Sequence, residues 1–130
     1  MAEYMGKSEH QKKRAYSPAV ITQGGKTVWL AGQTATRDEQ GNDISGNFEA
    51  QVRTIFSLLD KTLKRVGGSL ANMVTMTVFI NDVRLGDKFV EMRAGFFPSG
   101  NYPASALITV SNFARPGMLI EIQCVAVVGG

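Results

Sequence analysis

Between positions 48 and 66 the apolar residues Phe48, Val52, Ile55, Phe56, Leu59, Leu63 and Val66 recur at spacings of three and four. That period gathers them on one broad side of an α-helix, and a helix with one apolar stripe must lay it on a second layer. Ser45 or Asn47 can cap its start, and Gly67-Gly68 ends it where a left-handed residue is wanted. What lies on either side of this helix decides which second layer it finds.

Upstream, Ala19–Thr22 and 27–31 are short β-branched and aromatic runs separated by Gln23-Gly24-Gly25-Lys26, which predicts a hairpin. Downstream, 73–80 (MVTMTVFI) reads as a buried strand. Asn81 or Asp82 can cap a second helix with Leu85, Phe89, Met92 and Phe96 on its apolar side, closed by Pro98. Strands follow at 104–110 and 118–128, divided by a loop holding Arg115-Pro116-Gly117. The order β-β-α-β-α-β-β predicts an α+β fold, with the helices packed on one face of a mixed sheet. Residues 15–130 form a single domain without internal repeat.

Charge narrows the partners. The chain of 130 residues carries a formal +3, which invites a nucleic-acid reading until it is located. Residues 1–14 hold Lys7, Lys12, Lys13 and Arg14 against Glu3 and Glu9, a surplus of +2. The remainder, with ten basic and nine acidic groups, keeps only +1. The basicity belongs to the N-terminal segment, expected as a flexible polar tail, and nucleic acid is not an expected partner. His10, the only histidine, falls in that segment. A Ser-His-Asp triad or a histidine metal site is therefore not expected within the fold, and neither a metal nor a cofactor is called for. Cys124 is the single cysteine, which excludes an internal disulfide and a cysteine zinc site and fits a reducing cytoplasm. The longest unbroken apolar run, 124–128, falls far short of the ~20 residues of a membrane span, and no secretory signal is read at the N-terminus.

Generic catalytic motifs are absent, so candidates rest on placement. Glu121 lies inside the most apolar strand, and alternation puts it with Gln123, Val125 and Val127 opposite Ile120, Ile122, Cys124 and Ala126. A carboxyl desolvated there suits general acid–base work; a surface or inter-subunit carboxylate paired with an arginine is the alternative. Ser105 opens a strand where a side chain can face a pocket. Arg93 and Arg115 could each hold a carboxylate in two-pronged fashion, or simply lie on the surface. Tyr16 is either a pocket phenol or an edge residue.

Taken together, Tyr16-Ser17-Pro18-Ala19-Val20, Val28-Trp29-Leu30-Ala31-Gly32-Gln33, 74–82 (VTMTVFIND), Phe96-Phe97, Tyr102-Pro103-Ala104 and Ile120-Glu121-Ile122 resemble, in order, the YjgF/RidA family of reactive intermediate deaminases. The resemblance spans residues 16–128. It implies a chorismate-mutase-like fold assembled as a homotrimer, with small-molecule sites at the subunit clefts. In the best-studied branch, enamines and imines are hydrolysed to a keto acid and ammonia, and a Pro-Ala-Arg motif clamps the substrate carboxylate. Here that motif reads Pro103-Ala104-Ser105, Ala31 stands where that branch has a serine, and Leu107 where it has a cysteine. Gly32, Gln33 and Glu121 match. The resemblance thus implies a hydrolytic deaminase for a small enamine or imine, an aminomuconate-type compound among them, with Glu121 catalytic and Ser105, Tyr16, Gly32, Gln33, Arg93 and Arg115 as binding candidates. A non-catalytic small-molecule-binding trimer is the second reading and an endoribonuclease the third.

Overall fold

The computed structural model describes residues 2–129. The predicted stripe forms helix α2 (Phe48–Lys64), started by Asn47, whose side chain accepts the Ala50 N–H at 3.2 Å. Phe48, Val52, Ile55, Phe56, Leu59 and Leu63 are buried, each contributing roughly 1.5–3 kcal/mol by leaving water. Val66 is exposed instead, because the helix ends two residues before it and the backbone turns off the stripe. A second helix, α3 (Gly86–Ala94), is introduced by a single 3-10 turn capped by Asp82. It meets α2 through aromatic rings: Phe89 stacks on Phe56 at 6.3 Å, and Phe96, just past the end of α3, stacks on Phe56 at 4.2 Å.

Both helices rest on one face of a four-stranded sheet. With β3 (Lys26–Trp29), β4 (Met73–Ile80), β5 (Ala104–Thr109) and β6 (Ile120–Val128), the order is β3-β6-β4-β5. Only β4 and β5 run parallel, so the sheet is mixed, and the α+β architecture read from the sequence is the observed one. The register sorts side chains onto two faces. Met76, Cys124 and Ser105 share one row, Val78, Ile122 and Leu107 the next, all toward the helices. Thr77 with Gln123, Phe79 with Glu121, and Ile108 lie on the reverse, helix-free face. That face also carries Trp29, 79% exposed, opposite Val125.

The N-terminal segment departs from expectation twice. Residues 2–14 are not a flexible tail: they form strand β1 (Ala2–Tyr4) and helix α1 (Glu9–Arg14). Strand β1 pairs antiparallel with β2 (Val20–Thr22), and the Tyr4 hydroxyl donates to the Met73 carbonyl at 2.9 Å. Helix α1 begins with a capping box, in which the Gln11 N–H donates to the Ser8 hydroxyl and the Ser8 N–H to the Gln11 side chain. The hairpin expected from 19–31 is therefore not a ladder. Its first strand is taken by β1 and its second by β6.

One buried polar side chain ties the far end of the fold together. Gln51 on α2 donates to the carbonyls of Ile44 (3.0 Å) and Gly117 (2.7 Å) and accepts the Leu119 N–H (2.9 Å), so both flanking loops hang on it.

Candidate functional site

Chemistry-bearing side chains collect in two places. The first is a cavity of about 260 Å³ lined by His10, Arg14, Tyr16, Arg93, Ser105 and Leu107. Strand β5 presents Ser105 and Leu107 from the helix-covered face, α3 delivers Arg93, and the N-terminal segment closes the remaining wall. Ser17 fixes that wall against the start of β5: its N–H donates to the Pro103 carbonyl at 3.1 Å and its hydroxyl to the Tyr102 carbonyl.

Arg93 is the centre of this cavity. It is 2% exposed, its Cζ lies 5.2 Å from the Phe89 ring centroid, and it donates to Ser105 Oγ and to the Arg14 carbonyl, each at 2.7 Å. The carbonyl is aimed there because Ala15 ends α1 in the left-handed conformation (φ 58°, ψ 50°). Among the described residues no carboxylate pairs with this guanidinium, and its Nε has no hydrogen-bond partner. Burial pushes Arg93 down to about 10, with the nearby Arg14 charge acting in the same direction and Tyr16 against it. At neutral pH it remains a cation. A buried cation with five donors and no counter-charge is suited to receive an anion.

The second place is the reverse face of the sheet. Glu121 is half-buried beside Phe79, Val110, Asn112 and Phe113, around a hollow of about 180 Å³. Gly32 lies against its carboxylate, so a Cβ there would meet Glu121 Oε2 and push the carboxylate aside. Gln33 holds this stretch to β6 by exchanging backbone hydrogen bonds with Ile122 at 2.8 and 3.1 Å.

The structure thus brings Tyr16, Ser105 and Arg93 together, and separately Gly32 and Glu121, while Gln33 joins that stretch only through its backbone, its register partner Ile122 facing the helices. Within one chain the two groups are on opposite faces of the same sheet. Arg115 belongs to neither: it is exposed in the loop before β6. His10 and Arg14, set aside with the supposed tail, are wall residues of the first cavity. The signal that could have placed them is the Ser8-Glu9-His10-Gln11 spacing of a capping box. Cys124 is buried among apolar neighbours, which pushes its thiol up to about 12 and leaves it inert.

Comparison with known proteins places these features in a family context. The sequence model described as Endoribonuclease L-PSP matches residues 7–128, so the likeness reaches back through α1 and is not confined to 16–128. The chain is 28% identical over 111 residues to the RutC family protein PH0854 of Pyrococcus horikoshii, covering 85% of each chain. It is 32% identical over 114 residues to Protein DfrA of Myxococcus xanthus, covering 86% of this chain and 84% of that one. Among solved structures, Rv2704 of Mycobacterium tuberculosis, of the YjgF/YER057c/UK114 family, is 27% identical, with TM-score 0.66 and coverage of 98% and 100%. The Rid-family protein YyfB of Yersinia pestis shares the fold at TM-score 0.86, with 20% identity and 98% of both chains covered.

Proposed function

From the premise that this chain belongs to the endoribonuclease L-PSP (YjgF/RidA) family, we propose that it is a hydrolytic deaminase for a small enamine or imine bearing a carboxylate. The observation that carries the reading is Arg93. The family arginine is missing at Ser105, yet a buried, unpaired guanidinium reaches Ser105 Oγ at 2.7 Å from α3. Ser105 would orient Arg93, and the pair would hold the carboxylate where arginine in the Pro-Ala-Arg motif holds it elsewhere in the family.

The proton-handling group would be Glu121. Hydrolysis of an enamine protonates carbon, adds water to the resulting iminium and expels ammonia, and one carboxyl group can serve these transfers in turn. Since Glu121 and Arg93 lie on opposite faces of one chain, the complete site would form between chains. The Glu121–Gly32 face of one protomer would meet the Arg93–Ser105–Tyr16 cavity of the next. A head-to-tail contact whose rotation closes makes a ring, and the expected homotrimer would be such a ring. The uncovered Trp29 and Ile108 on the reverse face support burial of that face in an assembly.

The test is complementation. Glu121→Gln and Arg93→Met should each lower ammonia release by about 10²-fold or more. Subunits of the two variants, unfolded, mixed and refolded together, should recover roughly a quarter of wild-type activity, since that share of composite sites pairs two intact halves. Mixed oligomers as inactive as their parents would exclude the shared site, and unchanged turnover in Glu121→Gln would remove Glu121 from the chemistry. The separation of the two halves also favours a second reading, a cavity that binds a carboxylate without turning it over. It predicts thermal stabilisation by carboxylates and no ammonia from any enamine.

A further inference from the structure

The Arg93 cavity does not end at Arg14. A second cavity of about 330 Å³ adjoins it, sharing Arg14 and Leu107 as a common wall and running on past Gly86 and Asp87 to Arg84. Charge along this groove is lopsided: it is lined by the guanidinium groups of Arg93, Arg14 and Arg84, against the single carboxylate of Asp87. Arg84 is neutralised from outside by Asp82, which accepts its Nε at 3.0 Å and its Nη2 at 2.7 Å. Among the described residues Arg93 has no carboxylate partner.

Arg14 stands between these two cases. Its Nη1 meets Asp87 Oδ1 at 2.6 Å, but the Asp87 side chain is 92% exposed. A pair that open to water is screened and exchanges readily for another anion. Arg14 and Arg93 also repel one another: the Arg14 charge is among the causes that lower Arg93. A ligand with one negative charge relieves one of these cations. A ligand with two relieves both.

We propose that the groove takes a small dicarboxylate, with one carboxylate on Arg93 and Ser105 and the other on Arg14, which exchanges Asp87 for it. This inference rests on the preceding reading for its first anchor and adds the second. Arg14 would then separate diacids from monoacids. Its side chain can be altered without disturbing the first anchor, because Arg93 is held by the Arg14 backbone carbonyl and not by its guanidinium.

The experiment compares succinate with butyrate, acids of equal chain length, by calorimetry on the full chain at fixed ionic strength. Succinate should bind about tenfold tighter or more, the scale of one further charge-assisted contact. In Arg14→Gln that preference should shrink to about twofold, while butyrate affinity changes by less than about threefold. Asp87→Asn, which frees Arg14, should strengthen succinate and leave butyrate unchanged. Equal affinities in the parent chain, or a preference that survives in Arg14→Gln, would overturn the second anchor and leave the first standing. If neither acid binds, the carboxylate-binding reading fails with it.

Discussion

Two buried polar side chains, Gln51 and Arg93, organise different regions of this molecule, and they are built on different rules. Around Gln51 each polar atom of the side chain amide is satisfied by backbone, and the loop it holds meets a left-handed requirement with glycine at position 117 (φ 87°). Around Arg93, among the described residues, the charge has no counter-ion and Nε no partner, and the left-handed position beside it is filled by alanine. Each feature near Arg93 costs free energy in the folded state, since L-residues disfavour that conformation and buried charge disfavours the absence of an anion. The first region is what a chain does to hold itself together. The second is what remains when a region is also kept ready for something else.

This contrast can be broken by exchanging the features. Gln51→Met keeps the shape but strands the Ile44 and Gly117 carbonyls and the Leu119 N–H, and should destabilise by about 3 kcal/mol in denaturant unfolding. Its carboxylate binding should be intact wherever it is folded. Gly117→Ala should cost about 2 kcal/mol, because the backbone is left-handed there and the new Cβ would sit 2.6 Å from Ser45 Cβ. Arg93→Met should change stability by about 1 kcal/mol or less, because removing an uncompensated buried charge offsets the loss of its bonds to the Arg14 carbonyl and Ser105 Oγ, which lie only part-buried. Succinate binding should nevertheless fall by about tenfold or more. Smallest of all, Ala15→Gly should leave the unfolding midpoint nearly unchanged. Relief of the left-handed strain is offset by a lost buried methyl and a more flexible unfolded chain, net within about 0.5 kcal/mol. If Arg93→Met were as damaging to stability as Gln51→Met, the distinction between the two regions would collapse.

The same contrast explains what could be read from the sequence. Helix α2 was legible because its stripe is a local period and its cap, Asn47, stands immediately before it. The layering of helices over a mixed sheet followed from the alternation of element types. Long-range pairing was not legible: β2 looks like the first arm of a hairpin until β1, a three-residue strand in a polar segment, claims it. Charge misled for the same reason. Lys12, Lys13 and Arg14 read as part of a flexible tail, whereas they are the last turn of a capped helix: Lys12 and Lys13 do face water, but Arg14 lines a cavity and its carbonyl is fixed on Arg93. Arg93 could be shortlisted as a carboxylate clamp, but its depth and its freedom from any acidic partner are properties of the fold. That Ser105 and Glu121 face away from each other depends on the register of both strands with β4, which no local pattern contains.

Trp29 supplies an instrument for the question of assembly. It is the only tryptophan in the chain, so the indole emission comes from one point, on the helix-free side of the sheet. An indole bathed in water emits toward the red, and one enclosed by protein emits toward the blue. The emission maximum, followed as the protein is diluted, therefore records the covering and uncovering of that side with no label and no substitution.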